Sequence, residues 1–211
     1  MAYKSLNILN WKHIDLLVFT VVTAFSIAYG QTSVFYILYL FWWSELIRKV
    51  VGHIYLKRNS AHYQQRSPTD RMGSFFLLGI YFVFIVVFFG FMANWGNTAL
   101  MIINIQVLCF KNWFFNINLL WILAESIWVS TRQVGVKLDL SPFSANAIVM
   151  HISIVLGGLI MFFIVKRFPD FFTPDNLFGS VLIALPFLLL RLLVELSFKN
   201  TEHKLLNALK Q

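Results

Sequence analysis

The sequence predicts an all-α, polytopic membrane protein: a six-helix transmembrane bundle with a short interfacial or re-entrant helix between spans three and four. Two observations predict this class. Of the 211 residues, 59% are hydrophobic and 12% are charged, and the mean hydropathy is +0.72. A soluble domain of this length has no core large enough for so much apolar surface. The apolar residues also form long runs, and helices satisfy their own backbone hydrogen bonds in lipid.

The chain is predicted to form one transmembrane domain over residues 1–211, and polar segments bound its first three spans. The first span follows Asp15, which marks its aqueous end, and it is slightly short. A polar loop ends the second span, and a break at Asn94 ends the third, which has almost no polar atoms. The predicted bounds of these spans are 15–30, 32–56 and 75–92.

The rest of the chain is predicted to hold one short helix and three further spans. Residues 99–110 are apolar but number only about 12, whereas a helix that crosses a bilayer takes ~20. This segment is therefore predicted to re-enter the membrane or to lie on it. A polar turn follows the fourth span, and a polar tail follows the sixth. The predicted bounds of the last three spans are 113–131, 144–165 and 177–197.

Basic residues predict how the bundle is oriented. Six spans place both termini on one side, and that side carries eleven Lys and Arg residues against three on the other. This excess predicts a multi-pass protein of the cell (cytoplasmic) membrane with both termini in the cytoplasm. The formal charge of +8 favours anionic membrane lipids as partners and not nucleic acid, because basic residues lie between apolar runs. The single cysteine, Cys109, excludes an intrachain disulfide.

Ionisable side chains inside the predicted spans are the candidate functional residues. Glu45, Glu125 and Glu195 lie in spans two, four and six, and His151 lies in span five. Such groups are costly at membrane depth and mark functional sites by default. At 1.5 Å of rise per residue, all four fall in the cytoplasmic half of the bilayer. If their faces turn inward, they form one layer of three carboxylates and one imidazole.

Two arginines are placed to support this layer. Arg48 follows Glu45 by three residues, and Arg191 precedes Glu195 by four, so each Arg shares a helical face with a Glu. The same spacing fits a structural interpretation, in which two ion pairs lock the bundle and do nothing else.

Three hypotheses for function follow from the layer. Carboxylates and imidazole bind divalent zinc, iron or manganese, so the first is a metal-dependent membrane enzyme acting on a lipid-like substrate. The second is a carrier or channel for protons or cations, since closely placed carboxylates carry protons. The third is a non-catalytic subunit that assembles with other membrane proteins. Trp42 and Trp43 lie too deep for interface anchors, and either wall the site or pack against neighbours.

Three short motifs carry a resemblance to a known family. They occupy residues 41–45 (Phe-Trp-Trp-Ser-Glu), 141–143 (Ser-Pro-Phe) leading to 150–158 (Met-His-Ile-Ser-Ile-Val-Leu-Gly-Gly), and 191–195 (Arg-Leu-Leu-Val-Glu). Together they resemble an uncharacterised prokaryotic integral membrane family, catalogued as domain of unknown function 6498. Its members carry an aromatic-Trp-x-Glu motif, a Pro-led Leu-His-x-x-Ile-x-x-Gly-Gly motif and a final Lys-x-x-x-Asp helix.

The resemblance spans most of the chain and implies a buried site without implying a reaction, because the family has no assigned activity. Glu45 and His151 match the family motifs directly, and Arg191 with Glu195 stands in for the basic and acidic pair.

Two departures from the family bear on a metal site. Glu125 falls where the family tends to have His. Tyr81 and Phe89 occupy the places of two further His in span three, and Tyr81 is therefore included among the supporting residues.

Overall fold

The computed structural model describes the backbone of residues 17–58, 68–132, 145–173 and 176–208, and the side chains of 17–55, 72–131, 147–173 and 176–194. The regular elements in these ranges are all helices, which confirms the predicted all-α class. In chain order they are α1 (Leu17–Ala28), α2 (Val34–Arg58), α3 (Pro68–Phe84) with its π-helical continuation (Ile85–Phe91) and 3₁₀ end (Met92–Asn94), α4 (Thr98–Leu108), α5 (Trp113–Arg132), α6 (Ala145–Leu159) with its π-helical continuation (Ile160–Val165), and α7 (Leu177–Ala208).

The central element of the bundle is α2. Residues 34–42 are buried on every face of the helix, and all of them are apolar or aromatic. A helix that is apolar all round is buried, either among other elements or in a membrane. Helices α3, α4, α5, α6 and α7 all pack against α2, and Glu45 and Lys49 of α2 lie in the interior of the protein.

Side-chain contacts give the relative directions of the helices. The Phe35 ring lies 3.3 Å from where a Cβ at Gly90 would be, and Trp42 Nε1 donates a hydrogen bond to Leu78 O of α3. The later residue of α2 meets the earlier residue of the α3 helix, so α3 is antiparallel to α2. Helix α5 is parallel to α2, because the earlier residues Asn118 and Tyr36 are hydrogen-bonded to each other, and so are the later residues Glu125 and Arg48.

Within the described ranges, four stretches of helix are long and apolar enough to cross a membrane. They are Met72–Asn94, Thr98–Thr131, Ala147–Val165 and Leu177–Val194, the second of which contains both α4 and α5. These helices are compatible with a multi-pass membrane protein. Helix α1 has 12 described residues, and the α2 sequence includes Glu45, Arg48 and Lys49 near its middle. The predicted six-span bundle therefore stays a prediction, as does the re-entrant or interfacial placement of α4.

Two of the apolar helices change from α to π geometry. The change occurs at Ile85–Phe91 in the continuation of α3 and at Ile160–Val165 in the continuation of α6. A π-turn bonds residue i to i+5, so it shifts the register of the helix and leaves carbonyl groups without their usual partners. Such segments recur at functional sites.

Two asparagines supply the missing donors at the first π-segment. Asn94 Nδ2 donates to Phe89 O at 2.6 Å, and Asn104 Nδ2 donates to Gly90 O at 3.1 Å. Asn104 Oδ1 in turn accepts a hydrogen bond from Ser33 Oγ at 2.7 Å. Through these buried bonds the short helix α4 is attached to α3 and to the start of α2.

Helix α4 ends in a left-handed turn at Phe110. The turn is closed by a bond from Lys111 N to Gln106 O at 2.7 Å, and Phe110 has a φ of 57°. Glycine is the usual residue at such a position, and a side chain there costs about 1–2 kcal/mol. The Phe110 ring offsets this cost by packing near Trp43 and Phe115, with centroid distances of 5.5 and 6.0 Å.

Candidate functional site

A buried ion pair lies on the central helix. Lys49 Nζ is 2.9 Å from Glu45 Oε1, and the two side chains are 3% and 2% exposed. The pair forms because residues four apart are neighbours on a helix, and Glu followed by Lys is the more favourable order. The sequence prediction identified Glu45 but missed Lys49, although the i, i+4 spacing was visible in the sequence.

A second ion pair joins α2 to α5. Arg48 Nη2 donates to Glu125 Oε2 at 3.3 Å, and these side chains are 25% and 10% exposed. The sequence analysis placed Arg48 on the same helical face as Glu45. The contact with Glu125 shows that Arg48 reaches a neighbouring helix, which sequence spacing along one helix cannot reveal.

Together these four residues form what we call the charged cluster: Glu45, Arg48, Lys49 and Glu125. The negative charges of its two carboxylates equal the positive charges of its two cations, and each carboxylate lies against a cation. Among the described side chains no group of three or more His, Cys, Asp and Glu could hold a metal ion. A divalent metal at this cluster would have to displace Arg48 or Lys49, so the described residues do not fit such an ion.

His151 lies apart from the charged cluster, on the outer surface of α6. Its side chain is exposed, and its Nδ1 is 2.6 Å from the hydroxyl of Tyr81 on α3. The structure thus brings together two residues that the sequence singled out, His151 and Tyr81. It does not bring His151 into one metal-binding group with Glu45 and Glu125.

The two tryptophans before the charged cluster pack within a group of aromatic rings. Trp42 Nε1 donates to the backbone oxygen of Leu78 at 2.8 Å, and its ring lies 4.8 Å from that of Phe82. Trp43 meets Trp42 edge to face at 5.2 Å. Trp42 therefore has a defined structural role, which is to fix α2 against α3.

The third predicted pair can be described only in part. The Arg191 guanidinium lies over the ring of Phe19, 4.1 Å from its centroid, and so contacts α1. Glu195 belongs to α7, but its side chain lies outside the described residues. The predicted pairing of these two residues stays a prediction.

A buried network of uncharged polar groups lies nearer the start of α2. Asn118 Nδ2 donates to Tyr36 Oη at 3.1 Å, Thr32 Oγ1 donates to Ser26 Oγ at 2.9 Å, and a hydrogen bond joins Ser26 to Tyr36. All four side chains are almost fully buried. Sequence reasoning missed this network because isolated Ser, Thr and Asn in apolar runs carry no charge to draw attention to them.

Several buried hydroxyls add to the polar character of the interior. Within the described residues, the side-chain oxygens of Thr23, Ser74, Ser126 and Ser153 form no hydrogen bond. These residues belong to α1, α3, α5 and α6, and Ser126 directly follows Glu125. Buried polar atoms normally have partners, so such groups call for an explanation. Each is an oxygen that could bind a proton donor or a cation.

Comparisons with known proteins do not assign this chain to a family. No family model, no curated protein and no solved structure matches this chain. The resemblance to domain of unknown function 6498 therefore stays a prediction, and the function has to be inferred from the residues themselves.

Proposed function

We propose that the protein is a multi-pass membrane carrier of protons or small cations. The Glu45 carboxylate is the binding group, and the Lys49 ammonium is its built-in counter-ion. The observation that carries the proposal is the burial of this pair: two charges 2.9 Å apart, 2% and 3% exposed, on the central helix.

A purely structural role explains this pair poorly. Removing a charge from water costs several kcal/mol even after the protein relaxes, and a close partner offsets only part of that cost. Both charges belong to α2, so the 2.9 Å contact lies within one helix. The Arg48–Glu125 pair does join two helices and fits a structural role. The Glu45–Lys49 pair is more readily explained by a requirement for a carboxylate in the interior.

Ion exchange at Glu45 gives the carrier its mechanism. In the described conformation the carboxylate is neutralised by Lys49. A proton or small cation that binds Glu45 displaces the Lys49 ammonium. The displaced ammonium is more stable in a second conformation of α2, where it contacts water or another acceptor. Because the ion binds the two conformations with different affinity, its binding shifts their populations.

Apolar packing favours a carrier over an open channel. Between the Tyr36 network and the charged cluster, Leu38 and Leu40 of α2 and Ile122 of α5 are almost completely buried. These side chains separate the two polar regions in the described conformation. An ion that moves between them requires a change in helix packing, which is the defining step of a carrier.

The architecture that we propose for the carrier is the one predicted from sequence. Six helices cross the cytoplasmic membrane, both termini are cytoplasmic, and α4 lies on or re-enters the membrane. The antiparallel order of α2 and α3 and the parallel order of α2 and α5 support alternate crossings. The 25 residues of α2 are enough to span, and the 11 of α4 are too few.

The other two sequence hypotheses receive less support. A metal-dependent enzyme with a lipid-like substrate needs carboxylates that are available to a metal, and those of Glu45 and Glu125 lie against cations. A non-catalytic subunit of a larger complex is supported by the Arg48–Glu125 pair as helix glue, but that role leaves the Glu45–Lys49 pair unexplained.

Reconstitution in liposomes tests the carrier. Purified protein is placed in vesicles that contain a pH-sensitive or a sodium-sensitive dye, and gradients of protons, sodium or potassium are imposed. We expect the wild-type protein to dissipate at least one gradient faster than empty vesicles do. The Glu45→Gln variant, which keeps the shape of the side chain but removes its charge, should reduce that flux to the background.

Asp170→Asn is the matched control, since it makes the same carboxylate-to-amide change at an exposed position of a connecting segment. Its flux should equal that of the wild type. Two outcomes would overturn the proposal: wild-type vesicles that behave like empty ones in every gradient, or Glu45→Gln vesicles that behave like wild type.

A further inference from the structure

The Tyr81–His151 pair places hydrogen-bonding groups on an apolar outer surface. His151 is exposed, and the large side chains around it on α6 and α3 are exposed as well, including Ile152, Val155 and Ile80. Both helices belong to stretches long and apolar enough to cross a membrane. The pair therefore faces the region that lipid occupies, and it takes no part in the ion exchange at Glu45.

The hydrogen-bonding capacity of this pair is not exhausted by its internal bond. A neutral tyrosine and a neutral imidazole carry two polar hydrogens between them, and the contact from Tyr81 Oη to His151 Nδ1 uses one. The other remains whichever tautomer the ring adopts. It is on Nε2 if Tyr81 donates, and on the hydroxyl if His151 donates. Within the described part of the chain, no hydrogen bond from His151 Nε2 is formed.

A donor that faces hydrocarbon needs an acceptor from the membrane itself. Water is scarce there, and an unpaired polar group in an apolar medium costs free energy. Carbonyl oxygens are the acceptors that membrane lipids offer at the edge of the hydrocarbon region.

The depth of the pair follows from the proposed six-span architecture, on which this step rests. His151 and Tyr81 lie seven and six residues into the spans 144–165 and 75–92, about 9–11 Å from the span ends at 1.5 Å per residue. Helical side chains lean toward the N-terminus, so the polar ends of both side chains lie nearer to that edge than their backbones do. The glycerol esters of phospholipids lie at the edge, whereas the bilayer centre is about 15 Å from it.

We propose that Tyr81 and His151 form a binding site for a glycerophospholipid, with the spare donor bonded to an acyl-ester carbonyl of the lipid. The exposed side chains of Ile152 and Val155 provide the surface along which an acyl chain lies. The site selects the ester linkage, and not the headgroup, as the recognised chemistry.

Matched lipids test the proposal without any mutation. Delipidated protein in detergent is mixed with a diacyl phospholipid, or with the dialkyl ether lipid of the same headgroup and chain length, and native mass spectrometry counts the lipids retained. An ordinary net hydrogen bond corresponds to about a five-fold change in the binding ratio. We expect the wild type to retain the ester lipid in preference to the ether lipid by about that factor.

Variants assign the preference to the pair. The double variant Tyr81→Phe/His151→Phe removes both polar hydrogens and should abolish the ester preference, and Leu159→Phe, an exposed position two turns further along α6, should keep it. Each single variant keeps one polar hydrogen and should retain part of the preference, and the two single variants replace the double variant if that one fails to fold.

Three results would overturn the proposal. The first is equal retention of ester and ether lipids by the wild type. The second is displacement of the ester lipid by an equimolar isoprenoid quinone, which would make the site one for quinones. The third is a dimer of the protein that forms without added lipid and that His151→Phe dissociates, which would make the surface an interface between two copies.

Discussion

Replacing Lys49 by Met probes the charged cluster most directly. The substitution keeps a long, flexible side chain on α2 and removes the ammonium that lies 2.9 Å from Glu45. We expect Lys49→Met to be among the most destabilising single changes in the protein, because it leaves a carboxylate in the interior without this counter-ion. The double variant Glu45→Gln/Lys49→Met removes both charges and should recover most of the lost stability.

The expected magnitude follows from the distance and the burial. With an effective dielectric constant of about 20, charges at this separation attract by roughly 6 kcal/mol, and desolvation offsets much of that attraction. Removal of one partner from a buried pair typically costs about 3–5 kcal/mol, while replacement of both is often close to neutral. Both side chains are almost fully buried, so solvent screening does not reduce these figures. We therefore expect a loss of about 3–5 kcal/mol for Lys49→Met.

The single change Glu45→Gln should be milder than Lys49→Met. Lys49 lies four residues, or about 6 Å, nearer to the end of α2 at Arg58. Without Glu45, its long flexible side chain needs to move the ammonium less far to reach water at that end. A carboxylate on a short side chain at position 45 has no such route.

Equilibrium unfolding in mixed micelles measures these differences. Purified variants are titrated with sodium dodecyl sulfate, and the loss of helix is followed by circular dichroism at neutral pH. The double-mutant cycle gives the coupling between positions 45 and 49. Our account of the buried pair fails if Lys49→Met is within about 1 kcal/mol of wild type, or if the double variant is no more stable than Lys49→Met.

Three further predictions concern the surroundings of the cluster. Arg48→Met should cost less than Lys49→Met, about 1–2 kcal/mol in the same titration, because Arg48 and its partner Glu125 are partly exposed and 3.3 Å apart; an equal cost would contradict the ranking by burial. Asn104→Ala should destabilise by about 2–3 kcal/mol and raise amide hydrogen exchange in α4, since it removes the acceptor of the Ser33 hydroxyl and the side-chain donor of the Gly90 carbonyl; unchanged exchange in α4 would refute the attachment. Gly157→Ala should destabilise by about 1–3 kcal/mol, because its Cβ would lie 3.1–3.3 Å from packed side chains, whereas Gly158→Ala meets nothing within 4 Å and should be neutral; the reverse order would be incompatible with the described packing.

The fold class could be predicted from composition and hydropathy because lipid leaves few structural choices. The apolar runs predicted helices at each span, and the short helix after Asn94 was expected from its length alone. The turn at Phe110 could not be predicted, since a left-handed phenylalanine depends on its contacts with Trp43 and Phe115. The two π-segments were likewise invisible, because their sequences are as apolar as the α-helices that they continue.

The candidate site was predicted less completely than the fold. Ionisable residues inside the predicted spans directed attention to Glu45, Glu125 and His151, and the family resemblance added Tyr81. What sequence could not supply was the orientation of each side chain, which depends on how the helices rotate about their axes. Successive residues of an α-helix are 100° apart around its axis, so a shift of one position decides whether an imidazole faces the interior or the outside. His151 faces the outside.

The π-segment at Ile85–Phe91 also indicates how this bundle could tolerate changes in length. A π-turn contains one residue more than the α-turn that it replaces, so it corresponds to a single-residue insertion absorbed within a helix. Deletion of one residue there would restore an α-helix and rotate everything beyond it by about 100°. Asn94 would then turn away from the Phe89 carbonyl to which it now donates. Related chains that lack the extra residue should therefore also lack an asparagine at this position, and the two features should be gained or lost together.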